Sequence, residues 1–232
     1  MLTIIIPVFN AINTIEKILN QIDQVDFIPK EIILVDDSST DGTKSLIENH
    51  LANKVTKVIY HKNNKGKGSA IKSAQKFIKG DYVIIQDADL EYNPNDYYSL
   101  LKPIIDGKYN VVYGSRVLGK NRYKLKNFTS IFRIFANHLL TLFSNFINNQ
   151  NLTDAHTCYK VFSSKIIKDI NLQEDGFNFC PEVTTKIAKL NLKIMEVPID
   201  YYGRTISEGK KMQFFEGFRA IYCLIKYKFI SE

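Results

Sequence analysis

The acids between Tyr82 and Glu91 set the first chemical expectation: the stretch reads Tyr-Val-Ile-Ile-Gln-Asp-Ala-Asp-Leu-Glu. Asp87 and Asp89 stand one residue apart, and carboxylates that close repel each other unless a cation lies between or beside them. Mg²⁺ or Mn²⁺ suits such a pair, because each takes oxygen ligands and is usually held by one or two carboxylates plus substrate phosphates. Glu91 could add a third oxygen. The β-formers Tyr82 to Ile85 predict a short buried strand ahead of the pair. Ligands in open α/β sheets collect outside the carboxyl ends of strands, so these acids stand where chemistry is expected. Taken alone, the same Asp-x-Asp also reads as a solvated strand exit.

A second acidic pair, Asp36 and Asp37, follows another apolar run in Val35-Asp-Asp-Ser-Ser-Thr-Asp-Gly42. Between the two pairs lies a basic, glycine-containing loop, Lys62-Asn-Asn-Lys-Gly-Lys-Gly-Ser69. It resembles a phosphate loop superficially, but the Walker order of Gly-Lys followed directly by Ser or Thr is missing, and a flexible surface turn is the alternative. A further acidic cluster, Glu174-Asp175, runs into Gly-Phe-Asn-Phe and reads as a solvated loop. His50, His61, His138 and His156 show no ligand spacing, and ordinary polar roles are expected for each. Cys158, Cys180 and Cys223 show neither paired nor metal-ligand spacing, which favours a reducing cytoplasm.

The elements that must position these groups alternate along the chain. Leu2 to Phe9 predicts a buried strand ending at Pro7, which cannot donate to a ladder. Ile12, Ile15, Ile18, Leu19 and Ile22 fall at helical spacing, with Asn13 and Glu16 as a capping pair. Glu31–Val35 predicts a second strand, Leu46 to Leu51 a helix and Val55–Tyr60 a third strand. Ala70, Ile71, Ala74, Phe77 and Ile78 form one face of a helix stopped near Gly80. After the Tyr82 strand, Asn93-Pro94 opens a helix to Ile105, and Val111–Tyr113 predicts a further strand before Gly114-Ser-Arg116. This alternation argues for an α/β fold with a mostly parallel sheet covered on both faces.

Composition agrees with a globular chain: of 232 residues 45% are hydrophobic and 24% charged, with no internal repeat or low-complexity linker. The net charge of +7 suits phosphates, nucleic acid or anionic lipid. Met1 leads directly into Leu-Thr-Ile-Ile-Ile-Pro, so no signal peptide is expected. From Phe128 to Ile147 a broad helical face is apolar (Phe128, Ile131, Phe132, Phe135, Leu139, Leu142, Phe143, Phe146). Arg133, Asn137, His138 and Asn145 interrupt it and make it a poor transmembrane span. Met212 to Phe229 behaves similarly, with Phe214, Phe215, Phe218, Ile221, Tyr222 and Ile225 set against Arg219, Lys226 and Lys228. Both suit helices lying on a bilayer surface; burial against the sheet is the alternative for part of the first face.

Four motifs together carry a resemblance. Ile4-Ile-Ile-Pro-Val-Phe-Asn10, Val35-Asp-Asp-Ser-Ser-Thr-Asp-Gly42, Asp87-Ala-Asp89 and Gly114-Ser-Arg116 resemble, in order and spacing, the family 2 glycosyltransferases of the GT-A fold. Leu152-Thr-Asp-Ala-His-Thr-Cys-Tyr-Lys160, Phe179-Cys-Pro-Glu182 and Gly203-Arg-Thr-Ile-Ser-Glu-Gly-Lys-Lys211 are similar to the dolichyl-phosphate mannose or glucose synthase branch. Cys158 stands where many relatives have glycine, and Glu91 where glutamine also occurs.

The resemblance implies a GT-A fold: a Rossmann-like, mostly parallel central sheet with helices on both faces. It implies a single catalytic domain over 1–232, with a nucleotide-sugar-binding half at 1–114. The other half, 115–232, would bind the acceptor and carry the amphipathic helices. The implied reaction is metal-dependent and inverting, moving a hexose from a GDP-mannose or UDP-glucose type of donor to a polyprenyl or dolichyl phosphate. The alternative is a saccharide or other hydroxyl acceptor in cell-surface glycan synthesis. Asp89, with Asp87 and Glu91, would meet Mg²⁺ or Mn²⁺. Asp36 and Asp37 would hold base and ribose beside a wall shaped by Pro7 and Asn10. Arg204 and Lys210 would contact the donor diphosphate, and Arg116 and Arg133 the acceptor phosphate. Asp154 and Glu182 would be site-wall acids organising Lys160 or Arg116. The expected setting is the cytoplasmic face of a membrane, attached peripherally, without nucleic acid; a membrane-protein partner or a homo-oligomer stays open.

Overall fold

The computed structural model describes residues 1–119, 128–203 and 214–230. Its frame is laid down by two runs of branched aliphatic residues, β1 (Leu2–Val8) and β2 (Lys30–Asp36), paired in parallel from Leu2↔Lys30 to Val8↔Asp36. β3 (Lys57–Tyr60) joins the outer side of β2, and β4 (Tyr82–Ile85) joins the other side of β1, both in parallel. The sheet then continues through β6 (Lys160–Ser163), β5 (Val111–Ser115) and β7 (Ile194–Pro198), giving the order β3-β2-β1-β4-β6-β5-β7. Only β6 runs antiparallel to its neighbours; β5 and β7 are parallel to each other. Reversing β6 between β4 and β5 leaves β5 in the same direction as β1 to β4. The carboxyl ends of β1, β2, β4, β5 and β7 therefore share one edge of the sheet, and β6 starts there.

Strand residues alternate between two buried layers, as the period of two requires. Ile4, Ile6, Val8, Ile32 and Leu34 face one layer, completed by α1 (Ile15–Asp23), a π turn at Ile47–Leu51 and α4 (Tyr97–Ile105). Ile5, Ile33 and Val35 face the other, completed by α3 (Lys67–Gln75), α6 (Ser164–Asp169) and α7 (Phe179–Lys189). The short α2 (Thr43–Leu46) precedes the π turn, while α5 (Phe128–Asn148) and α8 (Phe214–Phe229) pack against each other and against α7. This is the expected doubly covered α/β sheet. Local readings differ in places: β1 does not end at Pro7 but pairs on through it to Val8. The Asn13 and Glu16 capping pair does not form, because α1 starts one residue later than that pair requires and its cap, Thr14, makes no side-chain capping bond. The helix expected to open at Pro94 begins as a 3-10 turn over Pro94–Asp96, where the Asn93 side chain accepts from Asn95 N at 3.0 Å.

Candidate active site

At the exit of β4, Gln86 fixes the start of the acidic stretch. Its backbone N donates to Ile5 O at 2.9 Å, and its side-chain oxygen accepts from Tyr97 OH at 2.7 Å and Tyr159 OH at 2.6 Å. Its amide nitrogen donates to the Asp87 carbonyl at 3.0 Å. Asp89 Oδ1 accepts from Glu91 N at 3.1 Å, which closes a turn that puts Leu90 at φ +64°. A leucine in the left-handed region is uncommon and is held there by its surroundings. Asp87 forms an ion pair with Lys67, the first residue of α3. Glu91 is buried and accepts from Tyr201 OH at 2.7 Å.

The three acids of the expected metal set thus meet three different surroundings. No group of three or more His, Cys, Asp and Glu side chains able to hold a metal ion occurs among the described residues. The oxygen-only pair Asp87 and Asp89 does not fit an all-protein cage. It fits a hard divalent ion that keeps phosphate or water in most of its shell.

Asp36 and Asp37 end β2 on the same sheet edge, across β1 from Asp87. Asp36 is fully buried: Oδ2 accepts from Ser39 N at 3.2 Å, while Oδ1 is a buried oxygen with no hydrogen-bond partner. The Asp37 carboxylate is already filled by donors. It accepts from His61 Nδ1 at 2.6 Å, Lys65 N at 3.0 and 3.1 Å, and Gly66 N at 2.6 Å. Its direct partner here is the basic loop, so the reach toward base and ribose expected of it would have to displace these bonds. Asn10, at φ +52°, joins the β1 exit to the 38–41 turn, donating from its N to Ser39 Oγ and accepting from Thr40 N, at 2.9 and 2.8 Å. Pro7 lies beside Val35 in the ladder.

The basic loop is neither a phosphate cradle nor a loose turn. The amides of Lys65 and Gly66 are engaged by Asp37, and those of Gly68 and Ser69 by the carbonyls of Gly176 and Asp175 at 3.3 and 2.9 Å. With these amides committed, what the loop sends into the site is the Lys67 side chain. Residues 173–178 are also more than a solvated loop. Glu182 caps the Gln173 and Glu174 amides at 2.6 and 2.9 Å, and Lys72 pairs with Asp175. Glu174 accepts from Tyr227 OH at 2.8 Å and Lys226 Nζ at 3.1 Å. Burial opposes its charged form, but those bonds hold its carboxyl below the usual range.

Arg116 follows β5 on the same edge. Its Nε and Nη2 donate to the two oxygens of Asp154 at 2.7 and 2.8 Å, its backbone N donates at 3.1 Å, and its guanidinium lies 5.1 Å from the centre of the Tyr201 ring. Burial works against the charge, yet Asp154 keeps this arginine firmly protonated. Glu196 on β7 fixes Asp154 in turn, accepting from the amides of Thr153 and Asp154 at 2.6 and 2.9 Å. Of the two wall acids, Asp154 does organise Arg116, whereas Glu182 pairs with Lys186 at 2.9 Å. Lys160 is buried on the carbonyls of Ala155 and Thr157, 4.3 Å from the Tyr113 ring centre. Arg133 lies on α5 with its side chain outside the described residues, as are Arg204 and Lys210 altogether.

Sequence reasoning missed Lys67, Gln86, Glu196 and Tyr201. For Lys67 the available signal was a lysine between two glycines just before a helix; nothing local links it to an aspartate twenty positions later.

Known proteins share this fold. Residues 3–170 match the model of the family described as "Glycosyl transferase family 2". Over its full length the chain superposes on a crystal structure of glucosyl-3-phosphoglycerate synthase from Mycobacterium tuberculosis in complex with Mn²⁺, UDP and glucosyl-3-phosphoglycerate. The TM-score is 0.73 with 17% identity, covering 81% of that chain. The fold is therefore that of the GT-A glycosyltransferases. The chain belongs to glycosyl transferase family 2.

Among relatives, it is 28% identical over 202 residues to glycosyltransferase AglJ of Haloferax volcanii, covering 87% of this chain and 63% of that protein. It is 27% identical over 248 residues to the UDP-N-acetylglucosamine–dolichyl-phosphate N-acetylglucosaminyltransferase of Methanococcus voltae, covering 98% and 96%. It is 26% identical over 230 residues to the dolichol-phosphate mannosyltransferase of Pyrococcus furiosus, covering 97% and 64%. The chain thus spans under two thirds of the length of two of these three relatives.

Proposed function

We propose that this glycosyltransferase moves a hexose from a nucleotide-diphosphate sugar to a polyprenyl phosphate at a membrane surface. The observation that carries the acceptor class is the two-sided character of α5. On its outer side, Phe135, Leu139, Leu142 and Phe146 are 59, 50, 64 and 84% exposed, although all four are large and apolar. On its inner side, Thr141, Ser144 and Asn148 are buried. There Thr141 Oγ1 accepts from Ala155 N at 3.3 Å, and Asn145 Nδ2 donates to Leu152 O at 2.7 Å. One helix therefore offers an apolar stripe outward and holds, inward, the loop whose Asp154 grips Arg116. Exposed Phe218, Tyr222, Ile225 and Phe229 extend the apolar surface along α8. Contiguous apolar area of this kind marks an interaction surface, and its helices suit a bilayer interface. No helix among the described residues is long and apolar enough to cross a membrane.

In this reading Asp36, Asp37, Pro7 and Asn10 form the base and ribose side of the donor site. Arg204 and Lys210 take the diphosphate. Asp89 with Asp87 would hold Mg²⁺ or Mn²⁺, and Glu91 steadies the wall through Tyr201. A bound divalent ion neutralises the charge of the departing nucleotide diphosphate. Arg116 and Arg133 orient the acceptor phosphate, for which guanidinium geometry is suited. A phosphate monoester has its second pKa near ~6 and is already a charged nucleophile at neutral pH, so it needs no general base. Glu174, whose carboxylate is bonded to Lys226 and Tyr227 of α8 and held below the usual carboxylate range by them, is a poor proton acceptor for such a reaction. Relatives named for dolichyl or dolichol phosphate support the acceptor, one of them an N-acetylglucosaminyltransferase and the other a mannosyltransferase. The cytoplasmic face of a membrane is the expected location.

The test offers labelled UDP- and GDP-sugars, Mg²⁺ or Mn²⁺ and polyprenyl phosphate in anionic vesicles. Label should pass to the lipid, the protein should float with the vesicles, and chelator or Asp89→Ala should abolish transfer. Label passing to saccharide hydroxyls while the lipid phosphate stays unused would select the alternative acceptor class. Protein that remains wholly in solution would remove the membrane assignment.

A further inference from the structure

Lys67 brings a cation into the acidic site, and the backbone that carries it is held on both sides. It begins α3 between Gly66, at φ +97°, and Gly68, whose imagined Cβ would lie 2.2 Å from the Glu174 carbonyl oxygen. The amides on both sides of it are bonded to Asp37 and to the 175–176 carbonyls. Its side chain, 11% exposed, forms its ion pair with Asp87, 17% exposed. Among the described residues, the counter-charge seen on Asp87 is this ammonium, set there by the anchored loop. A divalent ion reaching the same carboxylate must share it with that ammonium or displace it.

We propose that Lys67 competes with the divalent ion for Asp87, so that tight ion binding requires a nucleotide diphosphate whose own anionic oxygens take over the lysine. Lys67 then works as a coupling device: it holds Asp87 in place beforehand, discourages the ion from binding alone, and turns to the donor's phosphates when ion and nucleotide arrive together. This rests on the reading of Asp87 and Asp89 as the ion-binding pair.

The experiment measures Mn²⁺ affinity directly, by electron paramagnetic resonance of free Mn²⁺, with and without UDP or GDP. Wild-type protein should bind Mn²⁺ weakly alone. Lys67→Met should bind it about tenfold or more tightly without nucleotide, since a like charge is removed next to the ligand. Lys67→Arg should stay as weak as wild type, and Lys67→Met combined with Asp87→Asn should lose the gain. Should Lys67→Met fail to fold, as judged by circular dichroism, Lys67→Gln keeps a donor to Asp87 without charge and must show the same direction. Unchanged Mn²⁺ affinity in a folded neutral variant would overturn the proposal. So would a gain that survives Asp87→Asn. Asp89→Ala, run in parallel with nucleotide present, separates the two levels. If it abolishes Mn²⁺ binding while the Lys67 variants have no effect, the ion site stands and the competition falls. If Mn²⁺ binding survives in Asp89→Ala, the ion site itself is misassigned and the competition falls with it.

Discussion

Arg116 and Asp154 show how far single residues could be read in advance. The arginine was legible from its motif, and the aspartate as a wall acid near it. The bidentate bond between them was not, because thirty-eight positions separate them and β6 and β7 must both be in place to bring them together. The pairing changes what a mutation means. Asp154 is 1% exposed, so Arg116→Ala leaves a buried carboxylate without its counter-charge. Breaking such a pair typically costs about 3–5 kcal/mol. Urea unfolding of the variant should show a loss of that order, and stability equal to wild type would contradict the buried pair. A weakened acceptor KM in Arg116→Ala is therefore interpretable only beside Arg116→Lys, which keeps the charge.

His156 supplies a pH test at the same scale. Burial, with Lys160 and Arg116 nearby, lowers its pKa from 6.5 to about 4. Between those values the unfolded chain takes up a proton that the folded chain refuses. Stability therefore falls as pH drops through that window, by at most about 3 kcal/mol, and this contribution levels off below it. Unfolding curves from pH 7 to pH 4 should show a shallower decline for His156→Gln than for wild type. Parallel curves would mean the ring is not held neutral.

At the scale of elements, strands β1 to β4 were readable because each is a short apolar run ending in turn residues. The β4 strand, Tyr82–Ile85, is where the pattern puts it. Strands β6 and β7 were not readable. Lys160–Ser163 opens on a buried lysine, and Ile194–Pro198 carries Glu196 and is only partly covered, so neither shows clean alternation. Their places come from pairing with β4 and β5, which is tertiary information.

The loop before α3 was half legible: its glycines were visible, but the surface packed against them was not. Gly68→Ala should push Cβ to 2.2 Å from the Glu174 carbonyl, a contact that only backbone movement can relieve. Overpacking of this kind costs about 1–3 kcal/mol, and here it should also move Lys67 and slow transfer. Gly176→Ala, where an added Cβ meets nothing within 4 Å, is the control and should melt like wild type. Equal melting temperatures and rates for Gly68→Ala and wild type would show that the loop is not clamped.

For the molecule as a whole, one sheet edge carries both acidic pairs, Lys67 stands over one of them, and Arg116 follows β5 on that edge. Beyond it lie two helices that turn apolar faces outward. The composition gave the charge, and the periodicity gave the apolar stripes. That α5 exposes Phe135, Leu139, Leu142 and Phe146 while burying Thr141, Ser144 and Asn148 was one of two readings of its pattern, because a helical stripe looks the same whether a core or a bilayer covers it.

The proposed function assigns one side of this edge to the donor diphosphate and Arg116 to the acceptor phosphate, and its chemistry calls for no general base. It therefore predicts one in-line displacement by a lipid phosphate oxygen at the anomeric carbon, with inversion. The most direct measurement is NMR of the purified product made from an α-linked nucleotide sugar and a short polyprenyl phosphate. The account predicts a β-linked sugar whose anomeric carbon couples to a single lipid phosphorus. An α-linked product, or a sugar joined to a hydroxyl with no phosphorus coupling, would contradict it.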